Sequence, residues 1–500
     1  MIPLALACTT PAELPAPPSD ALLIRAREVV DGAEARPIPG DVEVRVCAWD
    51  HGPRACATGQ GEHALDAVEL AASRLPAVGA RDRLGIDLVL DEREAPAALP
   101  PRERARRAWR AGGELLTAPE LLVLPPADAL EPAELGLASE VEVASWIEGL
   151  DGRPTALDGA WARQPPALGP EVLEAGARAA AAWLAAAVQD DGRFRYERHP
   201  GQPPSTAYNW LRHAGATAVL FDAARQLDHP GWGTTAERAL GALLAQTVEV
   251  DDTELLIDDD KAKLGGNGLA LLALARHHAW HGASTHLETA RALGQGLLDA
   301  QLTDGSFVAF RSPEGLPLEG SSLYYPGEAI LGLLELAAWD DDPRWLAAAD
   351  RGLAHLVESR REVPTEDLPA DHWLMIAMDR RHALGGDDAL RAPLERLARA
   401  IEGQPAPQAT NAAATRLEGL LARLETCARV GDLCAVTRLE TLDRLDDLVA
   451  VQLTRDAGFF LPDDQLVGAF PAAPHDLTCR IDTTQHALSA LLGALRVVAL

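Results

Sequence analysis

From about residue 170 onward, apolar positions recur at spacings of three and four residues, and this periodicity predicts helices. We predict six helical pairs, each rich in Ala and Leu, over residues 171–187 with 208–227, 233–247 with 265–281, 286–301 with 326–340, 343–358 with 370–384, 388–402 with 410–427, and 433–453 with 483–498. Start signals support two of these helices, because Pro170 follows Gly169 and Asp342 stands as an N-cap before Pro343. The pattern predicts a helical domain over residues 166–500.

Residues 21–165 have a different pattern, which indicates a small α+β domain. Val42–Val46 alternates apolar and polar residues and Ile86–Leu90 is largely apolar, as expected of strands, whereas Ala64–Leu75 has helical spacing. This strand–turn–helix–strand layout resembles the AMMECR1-like domain, and we transfer no site residue from that resemblance. Residues 1–20 are rich in Pro and form a separate leader and linker.

A Gly-aromatic turn closes the first helix of several predicted pairs. It occurs at Gln189–Phe194 and at Gln301–Phe307, and Asp456–Phe460 is a weaker third copy. Glycine permits the left-handed backbone that ends a helix, and the aromatic side chain then folds back on the core. These segments resemble the Gln-x-x-x-Gly-x-Trp repeats of terpene-cyclase toroids, with Phe in place of Trp.

Six helical hairpins over residues 170–500 resemble, more broadly, the (α/α)6 toroid of six-hairpin glycosidases, sugar epimerases and polysaccharide lyases. This resemblance implies that the second helix of each pair lines a central funnel, and it implies no single reaction. We therefore predict a mainly α protein in which a C-terminal (α/α)6 toroid of six helical hairpins follows a small N-terminal α+β domain.

Residue types that are scarce in this chain gather at the predicted starts of the inner helices. Three of the 4 tyrosines lie there, together with both lysines and all of the asparagines. Helix starts also present free N–H groups and the positive end of the helix dipole, which favour anionic groups. The scarce residues, which we expect to surround one funnel, are Tyr208, Asn209, Lys261, Lys263, Asn267, Tyr324, Tyr325 and Asn411.

The groups at these helix starts suit chemistry on sugars. A glycosidase needs two carboxyl groups beside the scissile bond, and the candidates are Glu328, Asp371 and Asp482. A uronate lyase or epimerase needs a phenol or imidazole that moves a proton, and the candidates are Tyr208, His213, Tyr324 and His486. The candidates for binding the substrate are Asn209, Arg212, Lys261, Lys263, Asn267, Tyr325, His372, Trp373, Arg480 and His486.

Each candidate also has an ordinary structural interpretation. Asparagine is a good N-cap, and a tyrosine at a helix start is often half-buried with a solvated hydroxyl. Lys261 and Lys263 can offset the acidic run at Asp258–Asp260, and His213 and His486 can be core histidines. No group of His, Cys, Asp and Glu has a spacing typical of a metal site, so we expect no metal and no cofactor.

Net charge and hydropathy narrow the range of partners. Lys+Arg 45 against Asp+Glu 75 gives a formal charge of −30, which disfavours nucleic acids and anionic membranes. No stretch approaches the roughly 20 apolar residues needed to cross a bilayer. We expect a glycan or another small polar substrate, no nucleic acid and no transmembrane span.

The first residues and the cysteines bear on location. Residues 1–8 end in Cys8 and resemble the end of a bacterial lipoprotein signal, which implies a lipid anchor at Cys8 and a place in the cell envelope. Without that anchor, the expectation is the cytoplasm. In an oxidising envelope, Cys47–Cys56 and Cys427–Cys434 would close short loops and leave Cys479 unpaired; the alternative is that all of these are small buried apolar residues.

These observations predict a carbohydrate-active enzyme, either a glycoside hydrolase or an enzyme of the uronate lyase or epimerase type, that works in the toroid funnel. A non-catalytic envelope lipoprotein that binds a glycan or peptide is the alternative. A toroid that modifies peptides or isoprenoids is a third hypothesis.

Overall fold

A computed structural model describes residues 42–49, 55–61, 64–75, 83–94, 108–111, 114–116, 137–148, 154–158, 161–162, 167–200, 205–385, 388–454, 464–474 and 476–497. Cys8 and the third Gly-aromatic turn at 456–460 lie outside these residues. The chain divides into two compact units, Met1–Gln164 with Arg455–Asp464, and Pro165–Thr454 with Gln465–Leu500.

The first unit is an eight-stranded antiparallel sheet with one described helix. Its strands pair in the order β2–β1–β3–β6–β4–β5, while β7 pairs with β6 and with β8. The strands are β1 Val42–Trp49, β2 Ala55–Gly61, β3 Arg83–Glu94, β4 Ala108–Ala111, β5 Glu114–Leu116, β6 Leu137–Glu148, β7 Pro154–Asp158 and β8 Trp161–Ala162, and the helix is α1 Ala64–Ser73. The two strands and the helix that the sequence predicts here are present, and the AMMECR1-like resemblance stays a prediction.

The second unit is built from helices that alternate between an outer and an inner position. The outer helices are α2 Pro170–Ala187, α4 Pro230–Leu244, α6 Leu287–Ala300, α8 Pro343–Ser359, α10 Arg391–Glu402 and α12 Ala435–Ala450. The inner helices are α3 Trp210–Gln226, α5 Leu264–His281, α7 Tyr325–Trp339, α9 His372–Ala383, α11 Thr410–Val430 and α13 Ile481–Val497. Single turns of 3-10 helix occur at Thr365–Asp367, Asp388–Leu390 and Asp464–Leu466. The six predicted hairpins are all present.

Inner and outer helices bury their side chains differently. In the inner helix α7, every residue from Gly327 to Leu336 is buried. In the outer helix α8, the buried residues recur at spacings of three and four on one face, from Trp345 to Leu353. A helix that is apolar all round needs neighbours on every side, whereas an amphipathic helix needs only one packed face. The burial pattern therefore distinguishes α7, which is enclosed on every side, from α8, which has one packed face.

The inner helices close into a ring. Each packs against the next along the chain, from α3 through α11 to α13, and α13 packs back against α3. The fold is the (α/α)6 toroid, so the predicted fold class is confirmed. Because the ring is closed, the first and last inner helices are neighbours although about 270 residues separate them, as the Gln226–Leu492 hydrogen bond shows.

The described Gly-aromatic turns have the predicted geometry. Gly192 and Gly305 both have positive φ, and the bridges Val188–Phe194 and Gln301–Phe307 close the two turns. A Cβ on Gly305 would lie 2.5 Å from the carbonyl oxygen of Arg351. Both backbone conformation and close approach therefore require glycine at these turns.

Short strands, which the sequence did not predict, precede several inner helices. One sheet has the order β10–β11–β12–β13–β14, and another has the order β15–β16–β9. The strands are β9 Glu197–Arg198, β10 Thr247–Val250, β11 Thr253–Asp258, β12 Lys261–Lys263, β13 Phe310–Arg311, β14 Pro317–Leu318, β15 Pro471–Ala473 and β16 Asp476–Arg480. β12 runs directly into α5 and β16 into α13, so these strands fix where both helices begin.

The predicted cysteine pairs are present. Cys47 is bonded to Cys56 across β1 and β2, and Cys427 is bonded to Cys434 between α11 and α12, while Cys479 is buried and unpaired. Among the described residues, every helix is too short or too polar to cross a membrane.

Candidate active site at the N-terminal ends of the inner helices

Asp482, near the start of α13, is the centre of a charged network that joins three inner helices. Arg212 of α3 places Nε 3.0 Å from its Oδ2, and Arg480 places Nε 2.5 Å from its Oδ1. Asn411 of α11 donates to the same carboxylate at 3.1 Å. Burial raises the pKa of the Asp482 carboxyl, but Arg480 and Arg212 outweigh burial and hold that pKa below its usual value. Asp482 is therefore an ionised carboxylate that positions two guanidinium groups.

Two histidines meet beside this network, with a glutamate between them. The rings of His372 (α9) and His486 (α13) lie 5.4 Å apart, edge to face. His486 Nδ1 lies 2.7 Å from Glu418 Oε2, and His372 Nε2 lies 3.8 Å from the same oxygen. Within the described part of the chain, neither ring nitrogen of His372 has a hydrogen-bond partner. We call these three residues the histidine cluster.

The two histidines have opposite pKa shifts. Burial and the neighbouring His486 lower the pKa of His372 well below its ordinary value. Burial also disfavours the charged form of His486, but the Glu418 carboxylate outweighs burial and raises the pKa of His486. At neutral pH the pair therefore combines a neutral imidazole with one that holds its proton more strongly. Groups whose pKa values are pushed apart in this way are typical of an acid and a base.

Aromatic side chains border the histidine cluster. Tyr324 lies edge to face on His372 at 5.2 Å and is 39% exposed, so it stands between His372 and solvent. Trp373 lies 6.0 Å from His486, ring to ring. Tyr325 packs on Phe310 at 5.6 Å, and Lys261 Nζ lies 5.1 Å from the centre of that same phenylalanine ring. The predicted convergence of Tyr324, Tyr325, His372, Trp373 and His486 at one end of the ring is therefore observed.

Glu328 is a buried acid between α7 and α5. It is 3% exposed, and no described residue donates a hydrogen bond to its Oε2 atom. Burial, and to a smaller extent Asp371, raises the pKa of Glu328 to about 8. A Cβ on Gly265 would lie 1.7 Å from that oxygen, so only glycine leaves room for the carboxyl group. Glu328 is therefore protonated at neutral pH.

Four of the other candidates hold the fold together. The Asp371 side chain caps α9 at Leu374 N and pairs with Arg360 at 2.6 Å, and that of Asn209 caps α3 at Arg212 N. Asn267 bonds Leu256 N and Glu254 O of β11, while Lys263 pairs with Asp258 at 2.6 Å. Lys261 is the more accessible lysine. The capping interpretation is therefore correct for Asn209 but not for Asn267 or Asn411.

His213 and Tyr208 form a separate buried contact that faces the outer helix α4. His213 Nε2 lies 2.8 Å from the Ala239 carbonyl, so this nitrogen must carry the proton, and Nδ1 accepts from the Tyr208 hydroxyl at 2.6 Å. Burial lowers the pKa of His213 to about 4 and raises that of Tyr208 to about 12. The structure does not bring these two residues into the histidine cluster.

Sequence reasoning missed Glu418. Glu418 lies two turns inside α11, whereas the candidates predicted from the sequence were taken from the starts of the inner helices. The available signal was a single acid inside the apolar run Leu417–Leu421, since a buried charge without a role is costly. The ligand atoms of His372, Glu418 and His486 lie within 4.8 Å of one another, so the cluster could also hold a divalent cation. However, no described residue orients the second nitrogen of His372, as partners of metal-bound histidines usually do.

The fold has close counterparts among solved structures. A cellobiose 2-epimerase from Spirochaeta thermophila is 15% identical, with a TM-score of 0.50 over 67% of this chain and 100% of its own. A D-mannose isomerase is 11% identical, with a TM-score of 0.52 over 67% and 100%. An unsaturated glucuronyl hydrolase specific for heparin is 14% identical, with a TM-score of 0.50 over 66% and 99%.

These similarities confirm, at the level of the fold, the resemblance to six-hairpin toroids that the sequence indicated. Identities this low show the fold alone. No protein-family model matches the sequence, and neither does any curated protein.

Proposed function

We propose that this protein is a carbohydrate-active enzyme that moves a proton at the carbon next to the carbonyl of a sugar, as an epimerase or aldose–ketose isomerase does. The observation that carries the proposal is the pair of buried imidazoles with opposite pKa shifts, His372 and His486, held by Glu418. The proposal keeps the epimerase branch of the sequence-based prediction and replaces Tyr208 and His213 with the histidine cluster.

The proposed step uses both imidazoles. Neutral His372 takes the proton from the carbon next to the carbonyl, and the electrons of the broken C–H bond move onto the carbonyl oxygen. The enediolate then turns so that its opposite face meets His486, which donates its proton to the same carbon; this inverts that carbon and exchanges the protonation states of the two rings. In an isomerisation the proton goes instead to the neighbouring carbon, and a hydroxyl proton moves between the two oxygens.

Arg212 suits the stabilisation of the negative oxygen that forms in this step. Its guanidinium is about one-third exposed and is held by Asp482 and by the Tyr196 hydroxyl. A fixed cation beside a developing oxyanion needs no reorganisation when the charge appears. Arg480 and Lys261 add local positive charge at this end of a strongly acidic protein, so neutral and anionic sugars are both acceptable substrates.

Similar structures support the same chemistry without identifying the substrate. Two of the three solved relatives described above are named for an epimerase and an isomerase acting on sugars. Their likeness to this chain is one of fold, so the histidine cluster is the feature that supports the proposed reaction.

The test is hydrogen exchange at the sugar carbon in D2O, followed by NMR with cellobiose, D-glucose, D-mannose and D-fructose as probes. We expect the wild type to incorporate deuterium, and His372→Asn and His486→Asn to be slower by about 100-fold or more, the scale of lost acid–base catalysis. His355→Asn, on the outer helix α8, is the matched control and should behave as the wild type.

Two results would count against the proposal. One is the absence of exchange with every probe by a folded wild-type protein. The other is loss of exchange in EDTA with recovery in zinc, which would assign the histidine cluster to a metal instead. We expect EDTA to leave the exchange rate unchanged.

Glycoside hydrolysis is the second candidate, and Glu328 is the observation that favours it. A glycosidase needs one protonated and one ionised carboxyl group, and Glu328 and Asp482 have those two states. Release of reducing sugar from oligosaccharides that is lost in Glu328→Gln but retained in His486→Asn would favour hydrolysis over proton transfer.

An envelope location remains a proposal, supported by the two disulfides. Disulfides persist in oxidising compartments and are rare in the cytosol. Fractionation of the native host, with thiol labelling of Cys427 and Cys434 before and after reduction, tests it. Recovery of both cysteines as free thiols in the cytosolic fraction would contradict it.

A further inference from the structure

The opposite end of the toroid contains a cavity. It has a volume of about 580 Å³ and lies among the C-terminal halves of the inner helices. Small-molecule sites usually measure about 300–1,000 Å³, so this cavity has the size of a ligand site. By their positions along the helices, the lining residues Trp373, Glu418 and Gln485 lie deepest in the cavity, and Trp339, the last residue of α7, lies at its rim. The cavity therefore approaches the histidine cluster from the side opposite to the helix starts.

Ion pairs between neighbouring helices form the wall on one side. Arg276 of α5 contacts Asp222 of α3 at 2.9 Å and Glu335 of α7 at 3.1 Å. Arg380 of α9 contacts the same Glu335 at 3.0 Å. Four consecutive inner helices are thus linked through four side chains, all of which line the cavity.

The same pattern continues on the other side. Arg429 of α11 pairs with Asp379 of α9, and Arg496 of α13 pairs with Glu425 of α11 at 2.7 Å. Arg496 also donates to Gln226 of α3 at 3.1 Å, which closes the circuit through all six inner helices. We call this closed set of contacts the polar ring.

The polar ring narrows the chemistry of a ligand. Its four arginines face four carboxyl groups, so the charges cancel. An anion would have to displace the carboxylates, and a cation would have to displace the arginines. A neutral hydroxylated molecule can accept from a guanidinium and donate to a carboxylate without breaking either pair. Burial raises the pKa of Asp379 only to about 6, so at neutral pH this carboxyl group stays ionised and balances Arg429.

Aromatic rings at both ends of the cavity favour the same class of ligand. Trp339 at the rim is stacked on His278, with ring centres 4.6 Å apart and planes 14° apart. Trp373 at the floor is buried. Flat aromatic faces combined with paired donors and acceptors are the features that bind the apolar face and the hydroxyl groups of a sugar ring.

We propose that this cavity is a second binding site, distinct from the candidate active site, for a small neutral carbohydrate whose hydroxyl groups reach Glu418. Glu418 is shared with the histidine cluster, because its Oε2 atom accepts from His486. A ligand hydroxyl on that carboxylate competes with His486, so occupancy of the cavity lowers turnover at the other end. The site and its ligand class do not depend on the reaction proposed above; only the effect on turnover does.

The experiment fills the cavity without touching the polar ring or the histidine cluster. Ser489 lines the cavity on α13 and is partly exposed, so Ser489→Phe plugs it and Ser489→Ala is the matched control. Titration calorimetry with D-glucose and cellobiose should give two equivalents for wild type and Ser489→Ala, and one for Ser489→Phe. Ala279→Trp, at an exposed lining position on α5, provides a second obstruction if Ser489→Phe does not fold.

Three outcomes would overturn the proposal. The first is the same binding stoichiometry in the plugged and control variants. The second is the absence of sugar binding by wild type and by every variant. The third is a cavity that binds inorganic phosphate but no sugar, with phosphate binding abolished by Ser489→Phe. Failure of the proposed reaction is separately visible: deuterium exchange would be absent while Ser489→Phe still removes one of the binding equivalents.

Discussion

At the scale of single residues, the candidate site is a set of buried polar groups that the fold tolerates at a cost. His372 and Glu328 both have atoms without a hydrogen-bond partner among the described residues. An unpaired buried polar group costs about 1–3 kcal/mol, and such costs are usual at functional sites. Asp371, Asn267 and Lys263, by contrast, have their polar groups satisfied by structural partners.

Glu328 provides a pH-dependent test of this cost. The pKa of Glu328 in the folded state, about 8, lies above the ordinary value of 4.5. Between pH 4.5 and pH 8, therefore, the folded state keeps a proton on Glu328 that the unfolded state has released. The stability that Glu328 contributes is therefore complete below about pH 4.5 and is lost as pH rises towards 8. Between pH 5 and pH 9, we expect wild type to lose about 3–5 kcal/mol of unfolding free energy relative to Glu328→Gln.

Urea unfolding at pH 5, 7 and 9 measures this difference, with Glu319→Gln, at an exposed position, as the control. Parallel pH profiles for wild type and Glu328→Gln would show that the carboxyl group is solvated or paired.

At the scale of elements, glycine decides where helices end and how closely they approach. Gly305 and Gly282 both have positive φ, but only Gly305 is crowded: a Cβ there would lie 2.5 Å from the Arg351 carbonyl oxygen, whereas nothing lies within 4 Å at Gly282. A substitution at Gly282 therefore tests the cost of the backbone conformation alone, whereas one at Gly305 tests that cost together with steric crowding.

We expect Gly282→Ala to cost about 1–2 kcal/mol, the penalty of left-handed backbone for a residue with a Cβ. Gly305→Ala should cost clearly more, because the turn must also move away from α8. Thermal and urea unfolding of both variants measure this. Equal losses would mean that the Gly-aromatic turn relaxes without cost.

At the scale of the whole molecule, closure of the ring distinguishes this fold from an open array of hairpins. In an open array each repeat contacts only its sequence neighbours. Here α13 packs against both α11 and α3. A destabilising substitution in α13 should therefore weaken the packing of both α11 and α3.

Leu491→Ala, in the buried part of α13, is expected to cost about 3 kcal/mol and to lower amide exchange protection in α3 as well as in α11. Leu445→Ala, in the outer helix α12, is the control and should affect α11 without affecting α3. Unchanged protection in α3 with Leu491→Ala would show that closure contributes little to cooperativity. Hydrogen exchange with mass spectrometry reports each helix separately.

Much of the candidate site was predictable, and its centre was not. Position at the predicted helix starts led to Tyr324, His372 and His486, because a toroid brings the starts of its inner helices to one end. The same criterion also selected Asn209 and Lys263, whose caps and ion pairs depend on atoms a few residues away that spacing does not reveal. It excluded Glu418, which reaches the histidines from two turns inside its helix.

The sequence by itself determined the six hairpins, since periodicity and helix-start signals are local properties. The inner and outer layers followed from the resemblance to six-hairpin toroids, and the two cysteine pairs were one of two alternatives that the sequence left open. Only the tertiary structure decided which polar groups are partnered, because partners such as Arg212 and Asp482 are 270 residues apart and meet through ring closure. The tertiary structure also decided in which direction each pKa shifts and where the cavity of the polar ring lies, since burial and the distance between charges exist only once the helices have packed.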